Sequence, residues 1–262
     1  MTSKTRSPIL PLLAALLLAP PLARAQNTEP SVTPYRPTVA NPAELSEPGW
    51  LELEMGWQRQ QGGSDSRRDS LPLTAKLAFS ENWGVLLGTE LGLRRTDTDG
   101  NQYTGAGDTT LIVKHLLGGH PDQGGSWGLE AGFKSPTAPD TLGSGKTDYL
   151  LTLIYSVDGL GNRLDVNIGA TQLGATAPGQ DKMQYGWVAS LSRPLNERWG
   201  VFGEVSGTRN AGGESTQQYM LGGTYNLNKR AVLDFGMARG LTAATPEWSA
   251  FFGVSVLTAR LW

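Results

Sequence analysis

Twelve ionisable side chains fall on one parity of the alternating stretches in this 262-residue chain. They are Glu52, Glu54, Lys76, Glu90, Asp108, Lys114, Glu130, Lys134, Asp148, Asp165, Glu204 and Asp234. Three are lysines and nine are acids. Carboxylates so arranged can pair into a salt-bridge ladder, or they can line a passage and favour cations. Nucleophilic or metal chemistry has less to work with. The chain has no cysteine and only two histidines, His115 and His120. There is no G-x-S-x-G and no paired-histidine motif. "DTDGNQYTGAGD" approximates a calcium loop, but its glycine stands at the fourth position where the sixth is needed. A solvated turn is expected there, with no metal and no cofactor.

Folding each hairpin at its loop centre brings Glu54 near Lys76, Lys114 near Glu130, and Lys134 near Asp148. Such facing pairs stabilise a sheet by roughly 0.2–1 kcal/mol each. Six acids then lack a lysine: Glu52, Glu90, Asp108, Asp165, Glu204 and Asp234. Arginines such as Arg67, Arg68 or Arg209 could neutralise them. Otherwise they leave an acid-biased interior that favours cations or polar neutral solutes. Glu90 and Glu204 fall nearest mid-height and are expected to set a weak cation preference. Glycines at 84, 88, 92, 128 and 132 share the charged parity and keep part of that wall clear.

The elements that place these groups alternate with a period of two, the signature of strands with two unlike faces. In "WLELEMGWQ", Leu51, Leu53, Met55 and Trp57 oppose Glu52, Glu54, Gly56 and Gln58. About twelve such stretches of roughly ten residues follow one another from residue 50, the length a tilted membrane strand requires. Short separators such as "SENW", "DGLGN" and "NKR" alternate with longer ones such as "PTAPDTLGSGK" and "GATAPGQDK". Short turns on one side and longer loops on the other mark an up-and-down outer-membrane barrel. The predicted fold is therefore all-β: a closed antiparallel transmembrane barrel of about twelve strands, with ten or fourteen as alternatives. A charge facing lipid would cost roughly 2–4 kcal/mol at mid-depth, so the charged parity must face the lumen.

The flanks agree. Lys4 and Arg6, the apolar "ILPLLAALLLAP" and a small-residue site at 23–25 read as an export signal over residues 1–25. Losing Lys4, Arg6 and Arg24 from 22 basic residues leaves 19 against 24 acidic, which argues against a nucleic-acid partner. Residues 26–49 are proline-rich and aperiodic, an extended lead-in that either tucks into the lumen or lies in the periplasm. Residues 50–262 form the barrel. Trp83, Trp127, Trp199 and Trp262 fall at periplasmic strand ends on the lipid-facing parity, where an indole ring prefers to sit. A soluble β-sandwich would not gather tryptophan at one end. Trp262 ends an alternating strand on an aromatic and reads as the signal by which bacteria assemble such barrels.

Several stretches together resemble a known family. They are "RPTVANPAELSEPGWLELEMGW", "TELGLRR", "GAGDTTLIVKHLL", "GLEAGFKSPT", "FGEVSG" and "GGTYNLNKRAVLDFGMARGLTAATPEWSAFFGVSV". They look like the bacterial outer-membrane transporters named for the MetA pathway of phenol degradation. That resemblance implies an outer-membrane barrel, offers no catalytic motif, and suggests aromatic solutes. The expected function is passive passage of small molecules. The alternatives are a non-conducting barrel that binds lipid or a partner, and a barrel lipid hydrolase using Ser and His. Expected partners are outer-membrane lipids and lipopolysaccharide, the barrel assembly machinery during biogenesis, and the solute itself.

Overall fold

The computed structural model describes residues 29–262; the predicted export signal lies outside the described residues. The chain runs through β1 (Trp50–Gln61), β2 (Arg67–Ala78), β3 (Trp83–Thr96), β4 (Gln102–Gly105), β5 (Thr109–His120), β6 (Gly125–Ser135), β7 (Asp148–Gly159), β8 (Asn162–Gln172), β9 (Met183–Pro194), β10 (Trp199–Asn210), β11 (Thr216–Asn228), β12 (Ala231–Gly240) and β13 (Trp248–Arg260). Successive long strands pair antiparallel, and β1 pairs with β13 from Trp50↔Arg260 to Gln61↔Trp248. The sheet is closed, so no edge is left to be satisfied in lipid.

Thirteen strands make twelve staves, because β4 and β5 share one. The lower part of β3 pairs with β5, and Leu93–Thr96 at its upper end pair with β4. The sequence reading takes the whole of "TDTDGNQYTG" as loop. Instead the Asp97 carboxylate accepts the N–H groups of Asp99 and Asn101 at 2.9 and 2.8 Å. Gly100 supplies the positive φ of 88° that the tight turn needs. The hairpin above the belt is thereby extended.

Connections at one end span two to four residues, and those at the other span five to twelve. Polarity is inverted relative to a soluble core. Leu87, Leu151, Ile168, Leu221 and Phe252 are exposed on the outside, while Lys76, Lys114, Glu52 and Asp234 are buried inside. Lipid is the solvent such a surface fits. At the short-turn rim Trp83 stacks on His115 at 3.9 Å, and Trp199 lies 4.7 Å from Tyr225. Trp262 stands exposed on the same rim. These rings form the interfacial girdle. No helix of the described residues is long and apolar enough to cross a membrane.

Candidate functional site

Between rim contacts of Glu29 with Lys229 and of Pro48 with Ala78, residues 29–49 pass through the inside of the barrel. Five prolines (Pro30, Pro34, Pro37, Pro42 and Pro48) deny this stretch a regular ladder. Its remaining N–H groups still need acceptors once buried, and the inward acids of the wall supply them. The segment starts at the short-turn end, where Val32 N–H donates to the Lys229 carbonyl at 2.9 Å. It then climbs. Thr33 N–H donates to Glu52 at 3.1 Å, and Tyr35 and Arg36 N–H to Glu54 at 2.7 and 3.1 Å. At its apex Val39 and Ala40 both donate to one oxygen of Glu204, at 2.9 and 3.0 Å. Asn41 turns toward β8 and β6, donating to Asn167 at 2.7 Å and to both oxygens of Glu130 at 3.1 and 3.0 Å. The return limb descends past Ser156, which accepts Ala43 N–H at 2.8 Å. Glu44 binds Ser126 and Arg163. Leu261 N–H donates to the Gly49 carbonyl at 2.7 Å, tying the end of this limb to the end of the chain.

Tyr35 is the centre of this arrangement. The ammonium groups of Lys76 and Lys114 lie 3.7 and 4.2 Å from its ring centroid. Its hydroxyl donates to the Glu44 carbonyl at 2.8 Å. Burial, then the Glu130, Glu52 and Glu54 carboxylates, push this phenol well above its ordinary range, so the donor stays protonated. Lys76 Nζ sits 2.6 Å from both Glu52 and Glu54 and donates to the Thr33 carbonyl at 2.6 Å. Lys114 Nζ lies 3.0 Å from Glu130 and donates to the Pro42 carbonyl. Arg36 forks onto Asp234 at 3.1 and 3.2 Å. Its guanidinium fills a notch made by Gly56 and Gly253, which face each other across β1 and β13. A Cβ on Gly253 would stand 2.6 Å from it.

The long-loop half of the lumen is organised differently. Glu90 is bonded by Arg68. Lys134 Nζ lies between Asp108 at 3.1 Å and Asp148 at 2.9 Å. Asp165, nearer the short turns, takes Arg163 at 3.1 Å. The expectation of six acids without cations therefore changes. Glu52 shares Lys76, Asp108 shares Lys134, and Glu90, Asp165 and Asp234 each have an arginine. Among the described residues Glu204 has no cation and holds backbone N–H groups. The mid-height field assigned to Glu90 and Glu204 is thus taken up by a neighbouring strand and by the N-terminal segment. Folding adjacent hairpins finds the lysine pairs; it has no means of finding Arg36, whose partner is 198 residues away. The clustering of prolines just before the first strand, facing a wall rich in acids, is the one signal for it.

The segment divides the lumen. On the short-turn side a cavity of about 900 Å³ is bordered by Pro34, Arg36, Arg163, Ser192 and Asn226. On the long-loop side a chamber of about 410 Å³ is lined by Thr152, Thr171, Gln184, Ser206, Thr208 and Gln218. A third space of about 490 Å³ lies beside Arg68, Glu90, Asp108 and Lys134. The two histidines lie away from all three. His115 Nδ1 is 2.9 Å from the Asn82 carbonyl on the rim, and His120 Nδ1 is 3.1 Å from Asp122 in an exposed turn.

Residues 47–258 match the sequence model of the family described as "Putative MetA-pathway of phenol degradation". Among solved structures, an outer membrane channel from Pseudomonas putida F1 superposes with a TM-score of 0.65 at 12% identity, covering 82% of this chain and 98% of that one. The KdgM porin, solved in complex with disordered oligogalacturonate, gives 0.52 at 10% identity, over 79% of this chain and 99% of that one. The NanC porin gives 0.51 at 11% identity, over 79% and 98%. At these identities the likeness is one of fold, that of outer-membrane barrels. No curated protein matches by sequence.

Proposed function

The chain belongs to the family described by the MetA pathway of phenol degradation, and from that premise we propose an outer-membrane channel for small uncharged molecules, closed at rest by its own N-terminal segment. The observation that carries this reading is the division of labour on the inner wall. Its charges are spent on one another or on seating the segment, while the chamber above is lined by hydroxyls and amides together with Val39, Trp187 and Val188, and its one carboxylate, Glu130, is held by Lys114 and Asn41. An uncharged solute with a hydroxyl, a phenol among them, exchanges water hydrogen bonds for wall hydrogen bonds there. A charged solute would meet no free counter-charge and would carry its desolvation cost. A hydrolase reading has no histidine–serine pair to rest on among the described residues, His115 Nδ1 lying on the Asn82 carbonyl and His120 Nδ1 beside Asp122.

The test is conductance and liposome swelling of the full barrel and of a variant lacking residues 29–45. The wild type should conduct weakly, and the deletion should raise conductance several-fold and admit phenol-sized neutral solutes. A deletion variant that keeps its heat-shifted barrel band yet stays closed would favour a non-conducting barrel. We also assign Trp262 to assembly, on its placement at the periplasmic rim. Deleting it should leave the chain in the periplasm or degraded, and wild-type levels in the outer membrane would overturn that role.

A further inference from the structure

The outer wall carries a basic cluster that conduction does not use. Between the pairs Ser70↔Leu93 and Pro72↔Glu90, β2 has one residue, Leu71, where β3 has two, Leu91 and Gly92. A bulge of this kind reverses which side of the sheet each later residue faces. Leu93 is accordingly buried and Arg94 exposed. Arg94 faces Asp69 across β2 and β3, and Asp69 faces Arg59 across β1 and β2. Arg59 lies two residues beyond Trp57, with its guanidinium carbon 5.3 Å from that ring's centroid. Trp57 and its β13 neighbour Phe252 are 37% and 54% exposed, so this face is the exterior. The cluster therefore sits just above the apolar belt, at the strand ends nearest the longer loops, which in such barrels face the outside.

Asp69 accepts from the Nε atoms of Arg59 and Arg67, both at 2.6 Å. That leaves the terminal amino groups of both guanidiniums, and all of Arg94, without a hydrogen-bond or ion-pair partner among the described residues. Three arginines against one aspartate give a formal +2. Cations standing on the lipid-facing wall need an anion at the same depth, and the headgroup layer provides phosphate. Guanidinium forks match phosphate oxygens in pairs. Asp69 fixes two of those forks, and Trp57 offers a ring to the first part of an acyl chain.

We propose that Arg59, Arg67 and Arg94 form a binding site for a phosphate of lipopolysaccharide in the outer leaflet, with Asp69 as the positioning residue. This assignment rests on the outer-membrane location and not on conduction. The experiment is native mass spectrometry of the full barrel in detergent, titrated with bis-phosphorylated lipid A, dephosphorylated lipid A and inorganic phosphate. The wild type should retain the phosphorylated lipid. R59Q/R67Q/R94Q should lose at least about tenfold in retention while keeping its heat-shifted band. D69N raises the net charge but frees the two guanidiniums that Asp69 holds, so it should bind several-fold more weakly. R94Q, which removes a guanidinium that no described residue bonds, should also lose several-fold and carries the test if the triple variant does not fold. Equal retention of the dephosphorylated lipid, displacement of the phosphorylated lipid by an equal concentration of inorganic phosphate, unchanged binding in a folded triple variant, or unchanged binding in R94Q would each overturn the site, and tighter binding in D69N would overturn the positioning role of Asp69.

Discussion

The two halves of the lumen use the same residue types for opposite ends. In the short-turn half, Lys76 with Glu52 and Glu54, and Lys114 with Glu130, have side chains no more than 4% exposed. In the long-loop half, Arg68 with Glu90, and Lys134 with Asp108 and Asp148, are 11–27% exposed. The sequence gives no sign of this difference, because both sets alternate identically along their strands. The N-terminal segment creates it by covering one set and leaving the other to water. Burial turns an ion pair from a weak surface contact into one whose breaking strands a charge. Removing one member of a buried pair costs about 3–5 kcal/mol, and an exposed pair is worth about 0–1 kcal/mol. The lower half is thus a rigid seat and the upper half an adjustable mouth.

The largest expected effect breaks the seat. Lys114→Met leaves Glu130 buried with Asn41 as its remaining side-chain donor. Heat or urea unfolding should show a loss of about 3–5 kcal/mol. The double variant Lys114→Met/Glu130→Leu should recover much of it, because both charges go together. Equal losses in single and double variants would mean that the pair is not insulated from water, and the contrast between the halves would fail.

A middle-sized effect concerns the apex. Glu204→Ala removes the oxygen that holds the Val39 and Ala40 N–H groups. Leaving one buried donor unpaired costs about 1–3 kcal/mol, and of the two residues only Ala40 is buried, Val39 being 52% exposed and able to turn to water. The unseated fraction of the segment should then rise about fivefold to a hundredfold, read as open time in single-channel records. Glu204→Gln keeps a carbonyl oxygen in place and should stay mostly closed. An alanine variant with wild-type open time would show that the apex is held by its other contacts, Asn167 and Glu130.

What was legible in the sequence follows the same division. Period-two alternation gave the staves, the closed sheet and the outward belt. Folding neighbouring hairpins gave the contacts Glu54–Lys76, Lys114–Glu130 and Lys134–Asp148, all between strands close in sequence. The path of residues 29–49 was not legible, because an aperiodic proline-rich stretch has no face to assign, and Arg36 and Asp234 meet only after the barrel has closed. The outward turn of Arg94 was hidden as well. It depends on a bulge at Leu91 and Gly92, and a one-residue irregularity inside an otherwise alternating run leaves no mark on composition.

The smallest expected effect belongs to the mouth and sharpens the comparison from its other side. Lys134 is the cation found between Asp108 and Asp148, and its side chain is 24% exposed. Lys134→Gln should change unfolding stability by no more than about 1 kcal/mol, since water and salt already screen these groups. Its electrical consequence should be measurable. Two carboxylates lose their shared counter-charge, so the mouth becomes more negative by one unit and favours cations more strongly. Screening sets where this can be seen. At 0.01 M salt the Debye length is about 30 Å and the field spans the lumen, whereas at 1 M it is about 3 Å and the field ends at the wall. Reversal potentials of the Lys134→Gln barrel should therefore shift toward cation selectivity at low salt and return to wild type at high salt. The segment-deleted background gives enough current to measure them. A shift that persists at 1 M would place Lys134 at a constriction where ions shed water, and the mouth would then share the buried character of the seat.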